Sequence, residues 1–193
     1  MTIAELVRKN RSYRRFDQKV AINADTLREL VGLARLSPSA ANRQPLKFIL
    51  SADVATNAKI FAHIHWAGYL KDWGGPREGE RPTAYIIILT DTEISKESPT
   101  DIGIVAQSMM LGATERGLGG CMIGSIDRDD LRKALEIPER YAISLILALG
   151  KPVETVVLED VGPSGDIKYY RDAQGVHHVP KRLLSELILR IIG

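Results

Sequence analysis

Apolar residues along this chain recur with two different periods, and the switches between them predict its elements. Thr2 and Glu5 have capping-box spacing, and Ile3, Leu6 and Val7 give residues 3–9 one apolar stripe, a short helix. A second helix is predicted over 24–36, where Leu27, Leu30, Val31 and Ala34 share a face and Asn23 can cap the start. Ser37-Pro38 stops it, because the residue before a proline avoids the helical region. "LKFILS" (46–51) reads as a strand and "TAYIIILT" (83–90) as a central one, apolar on both faces. Residues 101–116 predict a long buried helix whose Gly103, Ala106, Gly112 and Ala113 would admit another helix closely. "GGCMIGS" (119–125) reads as a short strand between glycine turns, and 127–138 as an amphipathic helix begun by Asp127 and ended by Pro138. "AISLILALG" (142–150) is another buried strand. Residues 151–179 hold few periodic apolar positions. Behind Pro180, residues 181–192 predict a final helix whose Leu183, Leu184, Leu187, Ile188, Ile191 and Ile192 need a large apolar surface, as a C-terminal arm would. Helices and strands interleave without repeat or linker, so the class is α/β or α+β in one domain, 1–193.

Composition narrows the function. An apolar content of 45% over 193 residues is ample for a core. With 26 basic and 24 acidic side chains the net charge is +2, without the strongly basic balance of a nucleic-acid binder. The single cysteine, Cys121, excludes an intrachain disulfide and fits a reducing compartment. No apolar run approaches the length of a membrane span and no signal peptide is visible, so the expectation is a soluble, cytoplasmic protein. His63, His65, His177 and His178 lack zinc-ligand spacing, so no metal site is predicted. Neither a nucleophile elbow nor a hydrolytic carboxylate pair is present: Cys121 sits in an apolar strand, and Asp127, Asp129 and Asp130 stand where carboxylates cap a helix.

Four stretches could carry chemistry. In "RSYRRF" (11–16), Arg11, Arg14 and Arg15 offer forked donors suited to phosphate, with Ser12 beside them, although a charge run is more often a solvated face. In "SPSAANRQP" (37–45), Ser37, Ser39, Asn42 and Gln44 could read the polar edge of a planar heterocycle, or could satisfy one another in a plain connection. "GLGGCMIGS" (117–125) follows a helix and opens a strand, the reverse of a dinucleotide fingerprint. It is either a tight turn or a backbone surface open to a ligand. In "VPKRLL" (179–184), Lys181 and Arg182 fall in the first turn of the predicted last helix. Cations there oppose the helix dipole unless an anion joins them.

Together these stretches resemble the nitroreductase family of flavin enzymes. "RSYRRF" is similar to its R-S-x-R-x-F element, "PSAANRQP" to its P-S-x-x-N-x-Q-P loop, and "GLGGCMIGS", "LRKALEIPE" and "LALGKP" to its later elements, in the same order. The resemblance implies an α+β sandwich with a central, mostly antiparallel sheet flanked by helices. It implies a homodimer formed through the long central helix and an exchanged C-terminal arm, 151–193, with non-covalent FMN at the interface. Carried over by motif, Arg11, Ser12 and Arg14 would hold the FMN phosphate and the flavin–ribityl polar groups. Arg182, with Lys181 as the lesser candidate, would complete the phosphate site. Pro38, Ser39, Ala40 and Asn42 would reach the flavin from the partner subunit. Ile123, Gly124 and Ser125 would lie along the ring, with the Gly124 N–H near N5. Arg15 would be left to solvent and Phe16 to the core. No catalytic side chain is required, because the chemistry belongs to the cofactor. The implied activity is NADH- or NADPH-dependent, ping-pong reduction of an electron-poor acceptor such as a nitroaromatic or quinone. Leu46 stands where the family often has an aromatic, and Gly150-Lys151-Pro152 replaces its G-Y-P, which leaves the acceptor open. Residues 61–82, with Trp66, Tyr69 and Trp73, read as a lid or as aromatic packing. A non-catalytic flavin carrier or sensor is the alternative, and a colourless anion- or RNA-binding module is a third reading.

Overall fold

The computed structural model describes all 193 residues. Their contacts divide into two compact units, Met1–Trp66 with Gly75–Val153, and Ala67–Gly74 with Glu154–Gly193. The first unit contains α1 (Ile3–Lys9), β1 (Phe16–Asp17), α2 (Ala24–Leu36), β2 (Leu46–Ser51), α3 (Val54–Ala62), β3 (Ala84–Asp91), α4 (Pro99–Glu115), β4 (Gly119–Ile123), α5 (Arg128–Ala134) and β5 (Tyr141–Pro152). All its strand pairs are antiparallel, so the class is α+β. The twelve-residue β5 is the shared member: it pairs with β3, β4 and β1, and β2 joins beyond β3.

Every residue of β3 is buried. Ala84, Ile86 and Ile88 turn one face of the sheet to α2 and α4, where Leu27, Leu30, Val105, Ala106, Met109 and Met110 close the main core. Burying each large aliphatic side chain contributes about 1.5–3 kcal/mol. The small residues of α4 serve this core. A Cβ added at Gly112 would lie 2.3 Å from Leu33 Cδ1, so α2 of the same chain fills that gap, while Gly103 faces open space. Helix α3 was not expected from periodicity, because it buries only Asn57 and Ile60. Its start is marked by Asp53, whose carboxylate accepts from Thr56 N at 2.7 Å.

The second unit corrects two expectations. Residues 151–179 are not irregular: β6 (Val156–Asp160), β7 (Tyr170–Arg171) and β8 (His177–Lys181) form a sheet in the order β6–β8–β7, parallel between β6 and β8. The helix expected over 181–192 shrinks to one turn, α6 (Leu184–Leu187), and Lys181 ends a strand instead of opening a helix. Pro180 explains why a strand was overlooked there. The Lys181 carbonyl accepts from Val161 N at 2.9 Å on the β6 side, so Pro180 turns its missing N–H to the other edge. There β7 reaches only His177 and His178, and the edge is open.

Side chains bind this sheet together. His178 lies between two carboxylates, Nδ1 3.0 Å from Glu159 and Nε2 3.1 Å from Asp172, and stacks on Tyr170 at 4.7 Å. Bonds to Asp172 and then Glu159 hold its pKa above the ordinary 6.5. The segment Ala67–Gly74 is fastened by aromatic contacts: Tyr69 on Tyr169 at 5.0 Å, and Trp73 under the Arg171 guanidinium at 4.3 Å. Arg171 in turn pairs at 2.9 Å with Glu154, whose side chain is buried.

A protonated His178 donates from both ring nitrogens and a neutral one from only one. Because the folded pKa is raised, its stabilisation is complete below the unfolded value and fades as pH rises through the folded value. Amide protection factors in β7 and β8 should therefore fall as pH rises above the ordinary histidine value of 6.5, read by hydrogen exchange, and His178→Gln should abolish that dependence. A flat profile in the unmodified protein would contradict this account.

Candidate functional site

The backbone leaving α1 places the arginine stretch. Asn10 caps the helix with its N–H on the Leu6 carbonyl at 2.8 Å. Ser12 then forms a parallel bridge with Gly120 of β4, and Tyr13 N donates to the Gly120 carbonyl at 2.9 Å. Only glycine permits this pass. A Cβ at Gly119 would meet Tyr13 and Pro152 at 2.6 Å, and one at Gly120 would lie 2.3 Å from the Ala148 carbonyl oxygen. Close approach within the chain thus accounts for these two glycines. Gly124 differs, since a Cβ there would meet nothing within 4 Å.

The three arginines have three environments. The sequence left Arg15 to solvent, but it grips Glu80 with Nε at 3.1 Å and Nη2 at 2.5 Å, and this pair holds the Glu80 carboxyl below its usual range. Glu80 lies far along the sequence, so nothing local announces the pair. Arg14 is 8% exposed and donates from Nη1 to the Ser12 carbonyl at 3.2 Å. Arg11 donates from Nη2 to the Val7 carbonyl, while its Nε is buried without a partner and it makes no ion pair. Burial pushes the Arg11 pKa down. A partly buried guanidinium with an orphan donor and no counter-ion suits an anion.

The loop after α2 is tied to α4. Ser37 Oγ donates to Ser108 Oγ at 2.8 Å. Ser39 Oγ and Ala40 N donate to the two oxygens of Asp101 at 2.5 and 3.0 Å, and Ser39 Oγ accepts from Gln44 N at 2.9 Å. Asp101 is buried, at 3% exposure. It was expected only as a helix start, and no local signal announces its role, because Ser39 and Ala40 reach it from a distant loop. Through these bonds it secures a backbone with Ala41, Asn42 and Gln44 in the left-handed region at φ 50°, 52° and 51°. Asn42 Oδ1 accepts from Gln44 Nε2 at 3.0 Å, so part of the loop's polarity is engaged internally. Pro38, Ser39 and Gln44 line a cavity of about 440 Å³ that reaches Phe48 and Val105.

At the end of β4, Ile123 is buried, whereas Gly124 and Ser125 just beyond it are exposed. Their carbonyls are held from the sides: Gly124 O accepts from Arg128 Nη2 at 3.1 Å, and Ser125 O from His65 N at 3.0 Å. Asp127 bonds His65 Nε2 at 2.9 Å instead of capping α5. The structure therefore brings Arg11 and Ser12 to the start of β4. Pro38–Asn42 and Ile123–Ser125 share no hydrogen bond within one chain, and each is held by other partners, Asp101 for the first and Arg128 and His65 for the second. Lys181 and Arg182 lie in the second unit, both exposed. No group of three His, Cys, Asp or Glu side chains could hold a metal ion.

Comparison with known proteins places this arrangement. The family model described as "Nitroreductase family" matches residues 7–151. A protein of Archaeoglobus fulgidus, provisionally named an NADH dehydrogenase/NAD(P)H nitroreductase, is 25% identical over 77% of this chain and 84% of its own. A solved structure of a provisionally named nitroreductase from Desulfovibrio desulfuricans, in complex with FMN, is 22% identical with a TM-score of 0.72, covering 100% of this chain and 98% of that one. An FMN-dependent nitroreductase from Clostridium difficile is 22% identical with a TM-score of 0.65, covering 79% and 88%.

Two substitutions test the geometry. Asp101→Ala should raise exchange at the Ala40 and Gln44 amides and cost about 1–3 kcal/mol in urea unfolding, without loosening Tyr13. Gly120→Ala should lower the urea midpoint sharply and loosen the Tyr13 amide, because the obstructing atom is backbone.

Proposed function

The chain belongs to the nitroreductase family, and from that premise we propose that it is an FMN-dependent oxidoreductase using NADH or NADPH, with an electron-poor nitroaromatic or quinone as acceptor. The observation that carries the reading is Arg11, a partly buried guanidinium with an orphan Nε and no counter-ion, beside the first residues of β4. The FMN of the Desulfovibrio structure and the name of the Clostridium enzyme support the choice of cofactor.

When bound, FMN would take a hydride from the nicotinamide and pass the electrons to the acceptor in a second half-reaction. Arg11 and Arg14 would hold its phosphate, with the Ser12 hydroxyl as a further donor. The loop Pro38–Asn42, secured by Asp101, would orient the ring and limit water on one side. Ile123–Ser125 would offer an open backbone on the other, fixed by Arg128 and His65. None of these side chains needs to act as acid or base.

The two halves of the ring site share no bond within one chain, which supports a homodimer in which each copy supplies one half. The C-terminal residues support it too. Leu184, Leu187, Leu189, Ile191 and Ile192 are between 65% and 100% exposed, an apolar run that a second copy would cover. No helix is long and apolar enough to cross a membrane. Cys121 is buried and in no disulfide, which suits a reducing, cytoplasmic setting.

The purified protein should be yellow, release FMN on denaturation and oxidise NADH or NADPH when a quinone or nitroaromatic is added. Absence of flavin absorbance after incubation with FMN overturns the reading, and bound FMN without NAD(P)H oxidation favours a flavin carrier. Arg11→Ala should weaken FMN retention far more than Arg15→Ala, whose partner is Glu80. Arg182→Ala, carried by the resemblance, should behave like Arg11→Ala. Equal retention in all three variants would show the phosphate to be elsewhere.

A further inference from the structure

Strand β3 separates two environments. Ala84 and Ile86 face α2 and α4, so the intervening Tyr85 faces the opposite side, where α3 runs. On that side lies a cavity of about 250 Å³. Its body is apolar, with Val54, Ala58 and Phe61 supplied by α3.

Most polar groups around it are already engaged. Asn57 donates to the Thr83 carbonyl at 2.9 Å and accepts from Ser51 Oγ at 2.7 Å, and Thr83 Oγ1 donates to Val20 O at 3.0 Å. Gln18 Oε1 accepts from Gly79 N at 2.8 Å and Arg81 N at 3.2 Å, and its amide nitrogen donates to Glu78 at 2.8 Å. Two donors remain. Tyr85 is 1% exposed and lines the cavity, and its hydroxyl makes no hydrogen bond to the protein. Burial raises its pKa, so it stays a neutral phenol and a donor, and Arg81 is close enough for its charge to oppose that rise. Arg81 lies 4.4 Å over the Phe61 ring, and its Nε is buried without a partner.

The free groups above the apolar walls are a guanidinium nitrogen and a phenol, and the one carboxylate in the lining, Glu78, already takes Arg81 Nη1 and Gln18 Nε2. The buried, unmatched Arg81 Nε is costly, and a carboxylate would satisfy it while accepting from the Tyr85 hydroxyl as well. Phosphate fits less well, since the second charge would find no further cation. Glu78 stands at the rim with its side chain 72% exposed, already bonded to Arg81 Nη1 at 2.9 Å. It shares the arginine and so weakens an incoming anion without excluding it. The volume lies below the usual range for drug-sized ligands, which limits the occupant to about the size of benzoate.

We propose that this cavity is a second small-molecule site, on the face of the sheet away from the 37–45 loop, taking a compact monocarboxylate with an apolar body through Arg81 and Tyr85. The test is titration of the full chain, saturated with FMN, with benzoate, following the Val54 and Ala58 methyl groups by NMR. Saturable shifts of those methyls are expected. Binding should weaken about ten- to a hundredfold in Arg81→Gln and severalfold in Tyr85→Phe, whose packing is conserved. Glu78→Gln should tighten binding, an opposite sign that general loosening of the fold would not give. Benzamide, the neutral isostere, should fail to bind. Equal binding of benzamide and benzoate overturns the proposal, as does undiminished affinity in Arg81→Gln or the absence of any shift. Shifts confined to the Ser39 and Gln44 backbone amides, followed in the same titration and showing benzoate in the other cavity, overturn it equally.

Discussion

Everything in the first unit depends on the antiparallel pairing of β3 with β5. The register runs from Ala84 opposite Leu149 to Asp91 opposite Tyr141, between strands whose centres are closed to water. A slip of one residue would turn Ile86 and Ile88 away from α2 and α4, so burial fixes the pairing strongly. β5 then decides where the chemistry can stand. It takes β4 from Gly119 opposite Gly150 to Ile123 opposite Ile146, and β1 at Pro152. Phe16 lies over Gly150 so closely that a Cβ would sit 2.7 Å from its ring. The meeting of Ser12 with Gly120 follows from this register and not from any affinity of arginine for glycine.

Three arginines in one short run illustrate how burial sorts identical side chains. Arg15 has a carboxylate, Arg14 a carbonyl among its partners, and Arg11 a carbonyl and no carboxylate. No property of the residues themselves distinguishes them. Arg81 repeats the pattern on the other side of the sheet, where an aromatic ring and a carboxylate occupy part of the guanidinium and leave the rest.

The legible part of the fold was the local part. Helices α1 and α2 and strand β2 begin and end where the sequence placed them, since Thr2, Asn23 and Pro38 act within a few residues of themselves. Strand β3 differs by one residue at each end. What escaped was non-local. β7 is two residues long and has no periodicity to detect, and β6 pairs in parallel with a strand containing proline. The apolar stripe after residue 182 is real, but it has no surface within one chain to pack on, so helical spacing alone gave one turn. Arg11, Ser12 and the 37–45 loop could be picked out as candidates from residue type. Asp101 could not, because its role exists only through Ser39 and Ala40, brought to it by the fold.

The make-up of the second unit sets an order of events during synthesis. Tyr69 and Trp73 leave the ribosome well before Tyr169 and Arg171 have been translated, and nearly the whole span between them belongs to the first unit. Closing so long a loop costs entropy that only those late contacts repay. The segment Ala67–Gly74 must therefore wait, its aromatic side chains uncovered, while the larger sheet completes itself around β5. A chain stalled or cut before β7 would carry a finished first unit and a sticky, unfastened strap.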